Sequence, residues 1–375
     1  MRENEMEKIC DKELCTSCSA CYSICPTNAI KMVVKDGFYR PLIDSKLCVD
    51  CLQCQEVCPA NYELPLSSSE QKVFACFVKD EEIRFNSSSG GFFSQISAQV
   101  LQDGGIVFGA GFADDLTIKH FYATNINELK KLRASKYVQS YIGNTFKEVK
   151  DLLKQGKKVL FSGTPCQISG LRRYLSPVDT QNLLLIDLVC HGVPSPQVYK
   201  DFCSHLENQY QDKISKLSFR HKPNGWKSFG MKVDFVKGDV YFKDILDDPY
   251  LVGFLKNFFL NPSCYSCPYA NTNRLGDITI ADFWGYKDND EIKDDDKGIT
   301  LIITNNEKGL AAYTKAAQNM VTTEKTLAEA VAGNANLDHP AYKNKRYEEF
   351  WLDYPKKDFA WLIKEYFPPR RRPNV

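Results

Sequence analysis

Two near-copies of one cysteine run lie close to the N-terminus: Cys15-Thr-Ser-Cys18-Ser-Ala-Cys21-Tyr-Ser-Ile-Cys25-Pro26 and Cys48-Val-Asp-Cys51-Leu-Gln-Cys54-Gln-Glu-Val-Cys58-Pro59. Each reads C-x2-C-x2-C-x3-C-P, the spacing in which three thiolates wrap one 4Fe-4S cluster and the fourth reaches a second cluster. Three ligands two residues apart close a tight loop around one cube, so the fourth has to arrive from the other run. Cluster one is thereby assigned Cys15, Cys18, Cys21 and Cys58, and cluster two Cys48, Cys51, Cys54 and Cys25. The proline after each fourth cysteine removes a backbone donor and stops the preceding turn. A structural zinc site wants paired C-x2-C units with a longer spacer, and four cysteines in so short a run are too many for it. Electron transfer is the function these runs point to first.

The rest of the chain bounds that reading. Its 375 residues allow two or three domains and a sizeable core. With 48 basic against 47 acidic side chains, nothing suggests a nucleic-acid partner. Residues 1–14 are polar, without the apolar stretch of a signal peptide, and no apolar run approaches the ~18 residues of a membrane span. The expectation is a soluble, cytoplasmic protein, in which 15 cysteines ligate metal or do redox chemistry instead of forming disulfides.

Residues 1–64 read as a bacterial-type two-cluster ferredoxin module. Between its halves Ile30, Met32 and Val34 alternate up to Asp36-Gly37, a type I′ turn signal, and Phe38 to Ile43 return as a hairpin. Pro65-Leu-Ser-Ser-Ser-Glu70 reads as a linker. Beyond it the pattern becomes strand then helix. Strands are expected at Lys72–Val78, Gly105–Gly109, Lys157–Phe161 and Leu183–Val189, and helices at Phe92–Leu101, Asn144–Gln155, Cys166–Tyr174 and Ser195–Gln209. The fold class is therefore α+β or α/β: the ferredoxin module followed by a mixed, partly parallel α/β domain over 65–310. Stretches such as Met231–Val236 look antiparallel, and 311–375 reads as a mainly helical extension with a solvated basic tail around Arg370–Arg372.

A further set of cysteines falls at strand ends. Cys166 follows the strand ending at Phe161, Cys190 follows the one ending at Val189, and Cys264-Tyr-Ser-Cys267-Pro268 has chelate spacing. Parallel strands would place Cys166 and Cys190 at one carboxyl edge, where α/β folds bind ligands, and near helix N-termini that favour a thiolate. The four together suit a third 4Fe-4S cluster, a zinc site, or buried and redox-active thiols. Cys10, Cys76 and Cys203 lack such spacing and read as small core residues, and His191 as a supporting or capping group.

Clusters pass single electrons and most organic substrates change by two, so a converter is expected, and flavin is the usual one. No G-x-G-x-x-G follows a strand, which leaves a Rossmann nicotinamide site unsupported. Ser87-Ser88-Ser89-Gly90-Gly91-Phe92 opens an amphipathic helix, whose N–H groups cradle a phosphate or are simply capped by serine. Arg133 and Lys136, with Ser135, Gln139 and Ser140, could supply further phosphate partners. Arg220, Lys222 and Trp226 read as an exposed basic turn, with contact to an anionic substrate as the alternative.

At these segments the chain resembles the beta-subunit family of coenzyme F-420-reducing hydrogenase and dehydrogenase, which includes 7-hydroxymethyl chlorophyll a reductase-like proteins. The resemblance spans roughly residues 10–305. It rests on the double cysteine run, Ser88-Ser-Gly-Gly-Phe92, Ser135-Lys-Tyr-Val-Gln-Ser140, Gly163-Thr-Pro-Cys-Gln167, Cys190-His-Gly-Val-Pro194, and Cys264-Tyr-Ser-Cys267 followed by Asp277-Ile-Thr-Ile-Ala-Asp282-Phe-Trp-Gly285. It implies FAD on the α/β domain, a third cluster on Cys166, Cys190, Cys264 and Cys267, and flavin contacts from Ser88, Ser89, Gly90, Gly91, Ser135, Lys136, Gln139 and Ser140. Asp282 and Trp284 would lie near that pocket. It further implies a ferredoxin-like donor, a small organic substrate, and two roles to weigh. One is an oxidoreductase, of surface-polysaccharide synthesis in many bacterial relatives or acting on a deazaflavin. The other is a non-catalytic electron-transfer subunit of a hydrogenase or dehydrogenase.

Overall fold

The computed structural model describes residues 9–64 and 70–368, so the expected linker (apart from Glu70) and the Arg370–Arg372 tail lie outside the described residues. The N-terminal module carries one hairpin, β1 (Ile30–Lys35) and β2 (Phe38–Ile43), paired from Ile30↔Ile43 to Lys35↔Phe38. Asp36 and Gly37 both take positive φ, 52° and 81°, as a type I′ turn requires.

The main sheet has eight strands. They are β3 (Lys72–Val78), β4 (Ile106–Phe112), β5 (Ile118–Ala123), β6 (Val159–Ser162), β7 (Leu183–Leu188), β11 (Ile278–Asp282), β12 (Thr300–Thr304) and β13 (Met320–Lys325), in the order β13-β3-β12-β11-β7-β6-β4-β5. Only β4, β6, β7 and β11 run parallel to one another; every other pairing is antiparallel. The parallel strands are nearly continuous apolar runs, as strands covered on both faces must be. Helices Phe92–Gln102 and Glu307–Ala317 cover one face, and Thr145–Lys154 and Pro165–Leu175 the other. A separate antiparallel sheet, β8 (Ile214–His221), β9 (Gly230–Phe235) and β10 (Val240–Asp244), packs on helices Pro196–Tyr210 and Pro249–Leu255 and the C-terminal helices.

Two departures from the sequence reading matter here. Strand β5 is not anticipated by periodicity, yet it forms the sheet edge and carries His120. The boundary expected at 310 falls within helix Glu307–Ala317, and β13 beyond it pairs with β3 over Met320↔Val78 to Lys325↔Val73. No helix among the described residues is long and apolar enough to cross a membrane.

The ferredoxin-like module shares one buried core with the α/β layer. Cys18, Ala20, Ile30 and Val57 pack with Phe146, Ile168 and Leu171. Arg40 reinforces the contact from a fully buried position, donating to the Cys15 carbonyl at 2.7 Å and to Asn261 Oδ1 at 3.1 Å.

Candidate functional site

The two cysteine runs fold alike. Ser17 and Ser19 in the first, and Asp50 and Leu52 in the second, take left-handed φ of 58°, 66°, 49° and 61°. A non-glycine residue in that region is uncommon, and its recurrence at equal offsets from Cys15 and Cys48 shows that the two runs share one loop shape. A short helix follows in each, Ala20–Ile24 and Gln53–Glu56, and the two pack on each other.

This packing brings Cys58 to the first run. Its thiol interacts electrostatically with Cys15, Cys18 and Cys21. Cys25 ends the helix that lies on the second run, where Cys48, Cys51 and Cys54 interact. Burial raises the Cys25 thiol, but hydrogen bonds from Thr27, Ala29 and Ile30 outweigh it and hold it low. Cys15, Cys18 and Cys21 are buried, whereas Cys51 is exposed amid Leu47, Val49 and Leu52, which are also exposed. Cys10 is a core residue, as the sequence reading has it, but with partners that reading does not foresee. It is buried, and its thiol hydrogen-bonds to Cys15 and Cys58, holding Cys15 down to about 6. No spacing rule reaches it, because it lies outside the repeated motif.

The third set converges from three separate segments. Cys166 is in the first turn of helix Pro165–Leu175, Cys190 lies just past β7, and Cys264 and Cys267 flank the end of the short helix Pro262–Ser266. Every thiol interacts electrostatically with at least one of the others, and burial pushes all four up, Cys166 to about 11. The helix-terminus expectation fails at Cys190, because the next helix begins only at Pro196. At Cys166 desolvation exceeds the helix effect. Four half-buried thiols that resist ionisation thus lie together. Among the described residues no group of three or more His, Cys, Asp or Glu side chains would hold a single metal ion.

The first and third sets are neighbours. Cys18 feels Cys166, Tyr269 feels both, and a Cβ placed on Gly170 would lie 2.8 Å from Cys18 Sγ. The third set in turn borders a cavity of about 610 Å³, to whose wall Cys190 contributes. That volume is within the roughly 300–1,000 Å³ of ligand sites.

The cavity lies at the carboxyl ends of β6, β7 and β11. Ser88, Ser89 and Gly91 line it, and Gly91, at φ 93°, is the N-cap of helix Phe92–Gln102. No side chain caps that helix, so the serine-capping alternative is not what the structure shows, and the first-turn N–H groups are open to an anion. Ser135, Lys136 and Ser140 also line the cavity, with Arg133. Burial pushes the Lys136 ammonium down to about 7; it donates to the Arg133 carbonyl at 2.7 Å.

Two expected contacts lie elsewhere. Gly90 is turned into the sheet, its N–H on Thr300 Oγ1 at 2.8 Å, with no room for a Cβ against the Cys76 carbonyl. Gln139 is buried and accepts from the Tyr39 N–H at 2.7 Å, tying the cavity segment to the hairpin.

The supposed exposed basic turn is buried: Arg220 is 4%, Lys222 5% and Trp226 1% exposed. The reason is a partner set distant in sequence. Asp282 pairs with Arg220 at 3.0 Å and accepts from Trp226 Nε1 at 2.9 Å. Lys222 Nζ donates to the carbonyls of Arg84 and Lys297 at 3.0 and 2.8 Å. Trp284 stacks flat on Trp226, centroids 4.4 Å apart, and with Arg220 and Asp282 reaches the cavity wall. His191, also on the wall, is held by Asn257 at 2.6 Å. Cys76 and Cys203 are core residues of β3 and helix Pro196–Tyr210. Arg40 and His120 are the site residues that sequence reasoning did not single out.

Comparison with known proteins bears on these elements. Residues 156–330 match the model for the C terminus of the coenzyme F420 hydrogenase/dehydrogenase beta subunit, and residues 14–62 match the 4Fe-4S dicluster domain. No curated protein matches the chain. A chain from the xenon-derivatised F420-reducing NiFe hydrogenase complex of Methanosarcina barkeri is similar at 19% identity and a TM-score of 0.47, covering 77% of this chain and 94% of that one. The first match holds β6, β7, β11 and all four cysteines of the third set, and the second holds both cysteine runs. Residues 156–330 therefore carry the C-terminal domain of the coenzyme F420 hydrogenase/dehydrogenase beta subunit, behind an N-terminal 4Fe-4S dicluster domain at 14–62.

Proposed function

We propose that this iron-sulfur protein is a flavin-dependent oxidoreductase that takes electrons from a ferredoxin-like donor and delivers them to a small organic acceptor, a deazaflavin among the candidates. The observation that carries the reading is one of order in space. The second cysteine run, with Cys51 exposed, packs on the first, Cys18 of the first lies beside Cys166 of a half-buried third set, and that set borders a cavity with an anion-binding rim. When bound, 4Fe-4S clusters would supply one-electron steps and FAD their conversion to pairs.

In this reading Cys15, Cys18, Cys21, Cys58 and Cys48, Cys51, Cys54, Cys25 hold two clusters, and Cys166, Cys190, Cys264 and Cys267 a third. The uncapped N–H groups after Gly91, together with Ser88, Arg133 and Lys136, would bind the cofactor's pyrophosphate. Arg220, fixed by Asp282, would keep a positive charge on the wall. Leu47, Val49 and Leu52 surround Cys51 with an apolar surface suited to a small redox protein. Residues 1–64 then correspond to the ferredoxin module, and the main sheet, which runs on through β13, to the cofactor domain.

The test is anaerobic. Reduced ferredoxin is mixed with the FAD-supplemented chain, and flavin bleaching is followed at 450 nm against a Cys166→Ser, Cys190→Ser variant. Bleaching that depends on those cysteines supports the relay; equal bleaching in the variant refutes it. The exposed apolar ring also favours a second reading, an electron-transfer subunit with no substrate of its own. Turnover of a soluble acceptor without a partner protein decides against that one.

A further inference from the structure

Four arginines are buried among the described residues, and three of them face a carboxylate: Arg84 lies 2.6 Å from Asp295, Arg220 3.0 Å from Asp282 and Arg274 2.9 Å from Asp187. Arg40 is the exception. It stands on β2 two residues after Phe38, on the face turned into the core, and is 1% exposed. Its guanidinium donates to two neutral oxygens, the Cys15 carbonyl at 2.7 Å and Asn261 Oδ1 at 3.1 Å, and among the described residues no carboxylate lies within ion-pair distance of it. A buried charge with neutral partners alone is costly, and folds keep one where an opposite charge lies close by.

The two bonds say where that charge is held. Cys15 is the first ligand assigned to cluster one, and its sulfur feels the Arg40 charge. Asn261 caps the short helix Pro262–Ser266, and its carbonyl accepts from the Cys264 N–H at 2.8 Å, so the second bond leads to the third set. That set has a buried arginine of its own. Arg274 acts on Cys190 and Cys267, but Asp187 offsets its charge. A four-iron cube held by four thiolates is net negative, and one added electron makes it more so. A fixed cation therefore stabilises the reduced form more than the oxidised one, and net charge is one of the levers on cluster potential.

We propose that Arg40 sets the reduction potential of the cluster on Cys15, Cys18, Cys21 and Cys58, its unpaired buried charge raising that potential and drawing single electrons inward from the second run. The inference rests on the cluster reading above, with its ferredoxin-like donor as the source of the electron. It makes Arg40 a positioning residue that acts through charge, beyond its part in joining the module to the α/β layer.

The test is an anaerobic, EPR-monitored redox titration of the iron-loaded full chain, with dithionite as reductant. In Arg40→Gln, which removes the charge, one midpoint should fall by roughly tenfold in the equilibrium constant for reduction, about 59 mV for one electron. Arg40→Lys keeps the charge while giving up the forked pair of bonds, and should stay near the wild-type midpoint. Asn261→Asp offers the guanidinium the carboxylate it lacks and leaves both its bonds in place; Asn261 Nδ2 is buried without a partner, so no hydrogen bond is lost. This variant should lower the same midpoint, and it decides the matter where Arg40→Gln fails to load iron. Midpoints unmoved in Arg40→Gln, or in Asn261→Asp where the former does not load, would overturn the role of Arg40 while the clusters stand. A shift in Arg40→Lys as large as in Arg40→Gln would overturn it too, since geometry and not charge would then be responsible. Iron content and EPR signals unchanged in Cys15→Ala would overturn the ligand assignment and this inference with it.

Discussion

A single glycine controls how closely the first cysteine run approaches the third. Gly170 lies inside helix Pro165–Leu175, and a Cβ built there falls 2.8 Å from Cys18 Sγ and 2.9 Å from Cys18 Cβ. Helix propensity alone predicts that Gly170→Ala stabilises by about 0.5–1 kcal/mol. The contact opposes it. Non-bonded heavy atoms prefer roughly 3.5–4.0 Å, so helix and loop must part by about 1 Å, and overpacking a tight core costs typically ~1–3 kcal/mol. Neither flank yields easily, since Leu171 and Ile168 are fully buried and Cys18 is held in a loop with left-handed Ser17 and Ser19. Sterics therefore win, and the variant should lose about 1–2 kcal/mol. Because Cys18 is also an assigned ligand, its iron content should fall toward the loss of one cluster. The assay is anaerobic denaturant unfolding by circular dichroism with iron determined on the same sample. A variant more stable than wild type, with iron unchanged, would refute the close approach and the adjacency of the two sets.

Other outcomes follow from the same geometry. Arg274→Met strips Asp187, 0% exposed and 2.9 Å from the guanidinium, of its counter-charge. The N–H of Gly276 still serves that carboxylate, so the loss should sit near the low end of the ~3–5 kcal/mol for a broken buried pair; a loss under about 1 kcal/mol in the unfolding midpoint would contradict the burial. Burial pushes the Asp248 carboxyl up to about 6 from an ordinary 3.8. A raised pKa means the folded state binds the proton more tightly, so this group's stabilisation is full below about 3.8 and is lost as pH rises through about 6. Asp248→Asn should flatten the stability profile between those values, and an unchanged slope would show that another group is responsible. Cys264→Ser should remove about four irons while both clusters of the N-terminal module persist by EPR; a full iron count would sink the third set as a ligand group.

What the sequence reveals is what short-range patterns encode. The hairpin turn at Asp36-Gly37, β3 at Lys72–Val78 and helix Phe92–Gln102 follow from alternation, positive-φ residues and helical spacing within a dozen residues. Both cysteine runs are legible because ligand spacing is local. The pairing of β3 with β12 and β13 is not, since Cys76 meets Thr300 and Thr322 across most of the chain. The same holds for Arg220 and Lys222. Their charges look solvated until Asp282 and the carbonyls of Arg84 and Lys297 are brought beside them. Strand β5 escapes notice because only Ile118, His120 and Ala123 face inward, too short an alternation to stand out, and with it goes the histidine on the cavity wall. Cys10 is invisible for a related reason: its neighbours are set by the fold around the first run, not by spacing.

The central claim, three clusters ordered toward a flavin cavity, is tested most directly by iron, zinc and flavin per chain on one anaerobically purified, FAD-supplemented sample. The account predicts about twelve irons, one FAD and no stoichiometric zinc. About eight irons, with zinc in the third set or with no flavin retained, would contradict it.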